Sequence, residues 1–165
     1  MSEPASDSSA QREHASESSA QREGRFATLV PMRWSDLDDY GHLNNARAVT
    51  MLEEARIALL WTAKAESAGV SFRGGLLVAG LNVEYKRQVS YRTGRSLRVA
   101  MAIDEVRAAS FRILYDVHEG PEAEDAVAIR AWTRMALFDM DAQRPRRLTA
   151  AEKDYMAGFA EVEVQ

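Results

Sequence analysis

Four segments in the second half of the chain alternate apolar and polar residues with a period of two. They cover residues 77–85, 97–103, 111–118 and 127 to about 140. This alternation is typical of strands that bury one face, and short polar turns separate the segments. Residues 26–34 also have strand composition, and Pro31 restricts them to a sheet edge or a bulge. The pattern predicts a five-stranded antiparallel sheet.

A long segment with helical periodicity lies between the first strand and the other four. Asn44 or Asn45 is a good N-cap for this helix, and Gly69 is a good residue to end it. Apolar residues cover most of its circumference, which is typical of a helix enclosed by other elements. They include Ala46, Val49, Met51, Leu52, Ala55, Ile57, Leu59, Leu60 and Trp61. The order of elements predicts an α+β fold with a central helix, followed by a short C-terminal helix over residues 150–159.

The first 24 residues differ in composition from the rest of the chain. Residues 5–13 read ASDSSAQRE and residues 15–23 read ASESSAQRE, a near repeat of a polar unit that has no apolar face to bury. We therefore predict a disordered tail over residues 1–24 and one folded domain over residues 25–165. A transient helix that contacts a partner is the alternative for the tail.

Composition removes several classes of function. The net charge is −4, which does not suit a partner with a phosphate backbone, so we expect no nucleic-acid binding. The chain has no cysteine, which excludes disulfides, a thiol nucleophile and thiolate metal sites. No apolar segment resembles a secretory signal or reaches the roughly 18–20 residues of a membrane span. We expect a cytoplasmic protein with no membrane partner.

The densest group of reactive side chains lies in the predicted loop before the central helix. Asp36, Asp38, Asp39 and His42 lie within seven residues there. The first turn of a helix has unpaired N–H groups and a partial positive charge, so it can hold an anion or a developing oxyanion. A carboxylate from the preceding loop can act beside it as a base or a nucleophile. This arrangement supplies the two parts that acyl transfer needs.

The same aspartates have two other interpretations. Asp36 and Asp38 match the first and third positions of a calcium loop, but Tyr40 and Arg47 stand where that loop needs oxygen ligands, which argues against calcium. Alternatively, the aspartates only form turns and cap the helix, a common use of this residue type. Residue chemistry alone leaves the catalytic and the structural interpretations both open.

The whole string over residues 36–56, DLDDYGHLNNARAVTMLEEAR, closely resembles a motif of hotdog-fold thioesterases of the 4-hydroxybenzoyl-CoA thioesterase family, especially its long-chain acyl-CoA members. Residues 81–99, LNVEYKRQVSYRTGRSLRV, resemble the family's second strand, its turn and its third strand. The resemblance implies a hotdog fold and hydrolysis of a medium- to long-chain fatty acyl-CoA. It also implies a homodimer or homotetramer with sites between subunits, no metal, and no cofactor beyond the CoA of the substrate.

Matched to the motif, Asp38 is the catalytic carboxylate, acting as general base or nucleophile. The backbone N–H of Asn45 is the oxyanion donor. His42 and Asn44 shape the loop, and Gly41 makes its tight turn. These roles are what the resemblance implies.

Other positions depart from the motif or are less specific to it. Ala48 stands in place of an aromatic residue and is expected to reshape the acyl pocket, and Gln88 stands in place of a proline in the second strand's turn. Glu53 and Glu54 are interpreted as ion-paired with a nearby basic residue such as Arg47, Arg56 or Lys64. A basic run in this acidic chain either binds the phosphates of CoA or forms a solvated turn. It consists of Lys86, Arg87, Arg92 and Arg95.

Two other functions compete with hydrolysis. A non-catalytic hotdog module that binds acyl-CoA is the main alternative, although a binding module does not need a carboxylate next to the helix start. A hotdog dehydratase uses a catalytic histidine in a different context, and residues 36–56 do not resemble that pattern. The sequence favours a thioesterase.

Overall fold

A computed structural model describes residues 25–92 and 94–160. In chain order its elements are β1 (Phe26–Pro31), α1 (Asn45–Leu60), α2 (Ala63–Ser67), β2 (Leu76–Tyr85), β3 (Ser96–Asp104), β4 (Ser110–His118), β5 (Val127–Asp139), β6 (Arg144–Pro145) and α3 (Ala150–Ala157). Single 3₁₀ turns occupy Trp34–Asp36 and Phe72–Gly74. The proposed tail over residues 1–24 lies outside the described residues. No helix among the described residues is long and apolar enough to cross a membrane.

The strands form one antiparallel sheet in the order β1-β3-β4-β5-β2. The two-residue β6, which the periodicity did not predict, pairs with the end of β5. β1 and β2 are the two edges of this order, and Pro31, which has no N–H to donate, ends β1. The predicted order of the five strands along the chain and the edge position of the Pro31 segment are confirmed, whereas the order of the strands within the sheet was not predicted.

Helix α1 packs on one face of the curled sheet and supplies the centre of the core. Leu52 and Leu59 are fully buried, and burying one such side chain contributes roughly 1.5–3 kcal/mol. The sheet residues of the same core cluster come from alternate positions of the strands, as predicted. They include Leu97, Val99, Met101, Ile103, Phe111, Ile113, Val117, Ile129, Met135 and Leu137. The α+β architecture with one long helix across an antiparallel sheet is confirmed.

The central helix is shorter than predicted. It ends at Leu60, and the N–H of the C-cap residue Trp61 donates to the carbonyl of Ile57 at 2.9 Å. Thr62 then caps a new helix, α2, by accepting from the N–H of Ala65. Gly69, with φ +72°, follows this second helix. A threonine hydroxyl that starts a new helix therefore divides the predicted segment, while the predicted stop is correct.

The predicted core face of β2 is wrong in part. A β-bulge between Val78 and Gly80 shifts the register, so Leu77 pairs with Ala136 on the outer face and Leu81 pairs with Thr133 on the helix face. Because β2 is an edge strand, Leu81 and Tyr85 are 41% and 46% exposed although they point towards the helix layer. Exposed apolar residues therefore lie beside the helix along this edge.

Candidate active site

The loop before α1 folds into a tight turn around Asp38. The N–H of Asp38 donates to the carbonyl of His42 at 2.8 Å, and the N–H of Gly41 donates to the carbonyl of Asp38 at 3.0 Å. Gly41 has φ +78°, a left-handed conformation that a side chain disfavours. Gly41 thus occupies a position where glycine is the favoured residue.

The carboxylate of Asp38 is held by the backbone of its own turn. Its Oδ1 accepts the N–H of Tyr40 at 2.9 Å and the N–H of His42 at 3.0 Å. Among the described residues, the hydrogen bonds to this carboxylate end on Oδ1. The second oxygen, Oδ2, is therefore the one that can meet a water molecule or a substrate.

Asn44 caps the helix that follows. Its side-chain oxygen accepts the N–H of Ala46 at 2.9 Å, and its carbonyl accepts the N–H of Ala48 at 2.9 Å. Its own N–H donates to the carbonyl of Asp36 at 2.9 Å. The side chain of Asp36 is buried and accepts the N–H of Arg33, so this aspartate stabilises the turn.

A second segment fixes the loop from the other side. The N–H of Leu43 donates to the carbonyl of Val89 at 2.8 Å, and His42 pairs with Ser90 in an isolated antiparallel bridge. The loop is therefore anchored both to the helix start and to the segment after β2. Such anchoring fixes the position of the Asp38 carboxylate relative to the helix start.

A cavity of about 470 Å³ opens where the loop, the helix start and the end of β2 meet. Five residues that the sequence indicated line it: Asp38, His42, Asn45, Lys86 and Arg87. The others in its wall are Tyr40, Leu43, Tyr85, Gln88, Val89 and Ile129. A carboxylate and the first turn of a helix thus share one concave, partly apolar site.

The remaining indicated residues do not line this cavity. Gly41 and Asn44 support the loop, and Ala48 is buried in the core. The guanidinium of Arg95 lies against Gly120 and Asp125, and Arg92 is exposed on the turn before β3. The basic run is therefore divided, with only Lys86 and Arg87 at the cavity.

Two side chains at this cavity have local electrostatic effects. Lys86 donates to Glu84 at 2.5 Å, and this contact lowers the pKa of the Glu84 carboxyl. Burial raises the pKa of the Tyr85 hydroxyl, which donates a long hydrogen bond of 3.4 Å to the carbonyl of Asn45. Sequence reasoning missed Tyr85 as a site residue because its alternation assigned it only to a sheet face. The signal in the sequence that could have indicated Tyr85 was its position as the last residue of this strand.

The gap between α1 and the edge strand β2, which we call the α1–β2 groove, holds this cavity beside Asn45 and Tyr85 and a second cavity beside Ile57 and Val78. Asn45, Val49, Glu53 and Ile57 follow one another at intervals of four along its helix side. On its strand side lie Val78, Leu81 and Tyr85. Four of these apolar side chains, Val49, Ile57, Val78 and Leu81, are at least about one-third exposed. The groove therefore presents apolar side chains to solvent.

No group of three or more His, Cys, Asp or Glu side chains in the described part of the chain is arranged to hold a metal ion. The predicted ion pair of Glu53 with Arg56 is present, with Arg56 Nη2 at 3.4 Å from Glu53 Oε1.

Comparison with protein-family models places this fold and site in a class. The model of the thioesterase-like superfamily matches residues 32–158, and the chain belongs to that superfamily. The match spans the site loop, the central helix and the four strands β2 to β5. A search of curated proteins gave no match.

Solved structures of thioesterases share the fold. One described as a predicted thioesterase from Bacillus stearothermophilus has a TM-score of 0.70 at 22% identity and covers 83% of this chain and 97% of its own. A thioesterase from Thermus thermophilus, complexed with coenzyme A and zinc, has a TM-score of 0.64 at 23% identity, with 81% and 93% covered. A 1,4-dihydroxy-2-naphthoyl-CoA thioesterase from Synechocystis has a TM-score of 0.65 at 16% identity, with 81% and 96% covered.

Proposed function

We propose that this protein hydrolyses fatty acyl-CoA thioesters, with Asp38 as general base or nucleophile. The observation that carries the proposal is that the Asp38 carboxylate and the helix start at Asn45 line one cavity. Membership of the thioesterase-like superfamily supports the reaction class. The resemblance of residues 36–56 to the 4-hydroxybenzoyl-CoA thioesterase family supports these residue roles and a medium- to long-chain acyl group.

The reaction needs a nucleophile on one side of the thioester carbonyl and a hydrogen-bond donor at its oxygen. In the general-base route, Asp38 takes a proton from water as the oxygen of that water bonds to the carbonyl carbon. In the nucleophilic route, Asp38 bonds to that carbon itself, and water then opens the mixed anhydride. In both routes the N–H of Asn45, at the positive end of α1, stabilises the oxyanion.

The leaving group requires little help. The C–S bond breaks as the tetrahedral intermediate collapses, and CoA departs as a thiolate. Alkyl thiols ionise near a pKa of about 8.5, so the thiolate is a good leaving group without a strong general acid. His42, Gly41 and Asn44 act on this chemistry by holding the Asp38 turn and the helix start in place.

The CoA portion of the substrate meets Lys86 and Arg87. Both line the cavity mouth, and their cationic groups suit phosphate oxygens. The T. thermophilus neighbour is complexed with CoA, which supports CoA as part of the substrate. The acyl group lies along the α1–β2 groove, whose exposed apolar residues would otherwise face water.

A second copy of the chain covers the groove and turns it into a tunnel. β2 has ten residues, contains neither lysine nor proline, and among the described strands pairs with β5 alone. Natural edge strands that stay free are normally short or charged. Antiparallel pairing of β2 with its own copy about a two-fold axis satisfies this edge and gives the homodimer that the family resemblance implies.

The catalytic proposal is tested with purified protein and a ladder of acyl-CoAs, following thiol release. Asp38→Asn keeps the shape but removes the charge, so we expect turnover to fall by about 100-fold or more. Asp39→Asn is the matched control, because the neighbouring Asp39 is exposed and does not line the cavity. Binding of acyl-CoA without turnover in the wild type would overturn the proposal in favour of a non-catalytic binding module.

The dimer is tested by sedimentation of Leu81→Lys, which places a charge on the β2 edge. We expect its dimer dissociation constant to rise about 100-fold, as expected for an unpaired charge in an apolar interface. Leu29→Lys is the control, since Leu29 is an exposed leucine on the opposite edge strand, β1. An unchanged dimer in Leu81→Lys, or a monomeric wild type, would exclude β2 as the interface.

A further inference from the structure

A second cavity, of about 450 Å³, opens further along the α1–β2 groove. Its wall consists of Glu53, Arg56, Ile57, Trp61, Leu76, Val78 and Met135. Arg56 is eleven residues beyond Asn45 on the same helix, which corresponds to about 16 Å along the helix axis. An extended acyl group whose thioester lies at Asn45 therefore points its distal end towards this cavity.

Arg56 is an unusual residue for such a place. It is 8% exposed, and in the described residues its one ion-pair partner is Glu53, at 3.4 Å, whose side chain is 59% exposed. A guanidinium carries five N–H donors, and a buried charge is costly unless it is well paired. Its ion pair is thus one long contact to a solvated carboxylate, and the rest of the guanidinium lies between the Tyr115 hydroxyl and the second cavity.

The floor behind Arg56 is polar as well. The hydroxyls of Tyr115 and Thr133 are buried there, and the Tyr115 hydroxyl lies close to both Thr133 and the Arg56 guanidinium. Burial raises the pKa of the Tyr115 hydroxyl, while the nearby Thr133 hydroxyl and Arg56 guanidinium offset part of that rise. Three polar groups thus lie close together behind the cavity wall, and Arg56 is the one of them that lines the cavity.

We infer that this second cavity binds the distal end of the acyl group and that Arg56 selects acyl chains carrying a hydroxyl group there. The inference rests on the proposed thioesterase function. The guanidinium of Arg56 donates to the hydroxyl oxygen, and Glu53, next to it, accepts the hydroxyl proton in a hydrogen bond. The apolar residues Ile57, Val78 and Met135 enclose the last methylene groups.

Glu53 makes this site suit a neutral hydroxyl better than a carboxylate. A terminal carboxylate would also accept from Arg56, but it would lie beside the negative charge of Glu53. A hydroxyl has both a donor and an acceptor, so it satisfies both residues at once. Replacing Glu53 by glutamine should therefore let the carboxylate compete.

The test compares pairs of acyl-CoAs of equal length, one saturated and one with a terminal hydroxyl, over a range of lengths. We expect kcat/KM to favour the hydroxyl ester about tenfold at the length that reaches Arg56, the gain of one hydrogen bond to a charged group. Shorter pairs should show a ratio near one. The terminal-carboxylate ester should gain on the plain ester in Glu53→Gln and not in the wild type.

Two variants test whether the hydroxyl preference arises at Arg56 and whether the chain end lies in the second cavity. Arg56→Met keeps the length and apolar stem of the side chain and should bring the hydroxyl-to-plain ratio close to one. Ile57→Trp fills the cavity from an exposed helix position and should move the chain-length optimum to shorter esters. Arg47→Met is the control, because Arg47 is exposed on the same helix and lines neither cavity; its ratio should equal that of the wild type.

A second readout separates this inference from the proposed function. Calorimetry with the free terminal-hydroxyl fatty acid and with its plain counterpart measures the same preference without turnover. A preference in binding without hydrolysis of any ester would support the Arg56 site and overturn the thioesterase. Hydrolysis with equal kcat/KM for both members of every pair, or a preference that survives in Arg56→Met, would overturn the Arg56 site alone.

Discussion

Two arginine–glutamate pairs in this protein have opposite designs. Arg146 and Glu152 form a bidentate pair, with N–O distances of 2.7 and 2.9 Å, and the carboxylate is 3% exposed. Arg56 and Glu53 share one contact of 3.4 Å, and there the guanidinium is the buried partner. In the first pair the buried group is the carboxylate, and the guanidinium contacts both of its oxygens. In the second pair the buried group is the guanidinium, and its ion pair is one long contact.

The surroundings explain the difference. Glu152 lies in the first turn of α3, where it also accepts the N–H of Thr149 and completes a capping box. Both carboxylate oxygens are thus engaged by Arg146 and the N–H of Thr149, and the pair connects α3 to the segment after β6. Arg56 lines a cavity, and its partner is three residues away on the same helix face. The comparison separates a structural ion pair from one that fits a binding role.

The largest expected effect is a loss of stability when the Arg146–Glu152 pair is broken. Glu152→Ala removes the helix cap and leaves Arg146 without its partner, so we expect the free energy of unfolding to fall by about 3 kcal/mol. Urea denaturation measures it. Glu53→Ala is the matched variant and should cost clearly less, about 1 kcal/mol, because its contact with Arg56 is long and its carboxylate is largely solvated. Equal losses in the two variants would remove the distinction between the pairs.

Acid sensitivity is the next effect. Burial alone would raise the pKa of Glu152, but hydrogen bonds from Arg146 and from the backbone of Thr149 outweigh it and hold that pKa below its ordinary value of 4.5. Folding thus favours the ionised form, so the contribution is present above pH 4.5 and is lost as the pH falls through the lower folded pKa. The acid-side decline in unfolding free energy should be shallower in Glu152→Gln; an unchanged slope would contradict this account.

The smallest change in stability is expected when the Arg56–Glu53 pair is removed. Arg56→Met replaces a weakly paired buried cation with an apolar side chain of similar length. We expect its free energy of unfolding to stay within about 1 kcal/mol of the wild type, or to rise. The same denaturation series measures it. A loss of several kcal/mol would show that Arg56 is a structural residue like Arg146.

Most of the sheet could be predicted from the sequence, because each strand carries its own alternation. Inward positions such as Val99 and Ile113 repeat every second residue and are buried, so local periodicity and tertiary burial agree. The prediction was wrong where a single local event changed the period. Thr62 started a new helix, and the bulge after Val78 reversed the face of Leu77.

The residues of the candidate site also fall into two groups, those that local sequence predicts and those that only the fold brings to the cavity. Asp38, Gly41 and Asn44 lie within seven consecutive residues, so their turn and helix cap follow from local chemistry that the sequence contains. Tyr85 and Gln88 reach the cavity only because β2 ends beside the helix start, forty or more residues away along the chain. Arg92 and Arg95 belong to the same basic run as Lys86, but the turn carries them away from the cavity.

The sequence by itself determined the order of the elements, the turn that holds Asp38 and the cap that opens the central helix, because hydrogen bonds between near neighbours and the periodicity of apolar residues are local properties. The tertiary structure decided which strand is left open beside the helix and which charges are buried there. It placed Arg56 above Tyr115 and Thr133, residues from three different elements. Burial and pairing depend on what packs across from a residue, and no segment of the chain carries that information alone.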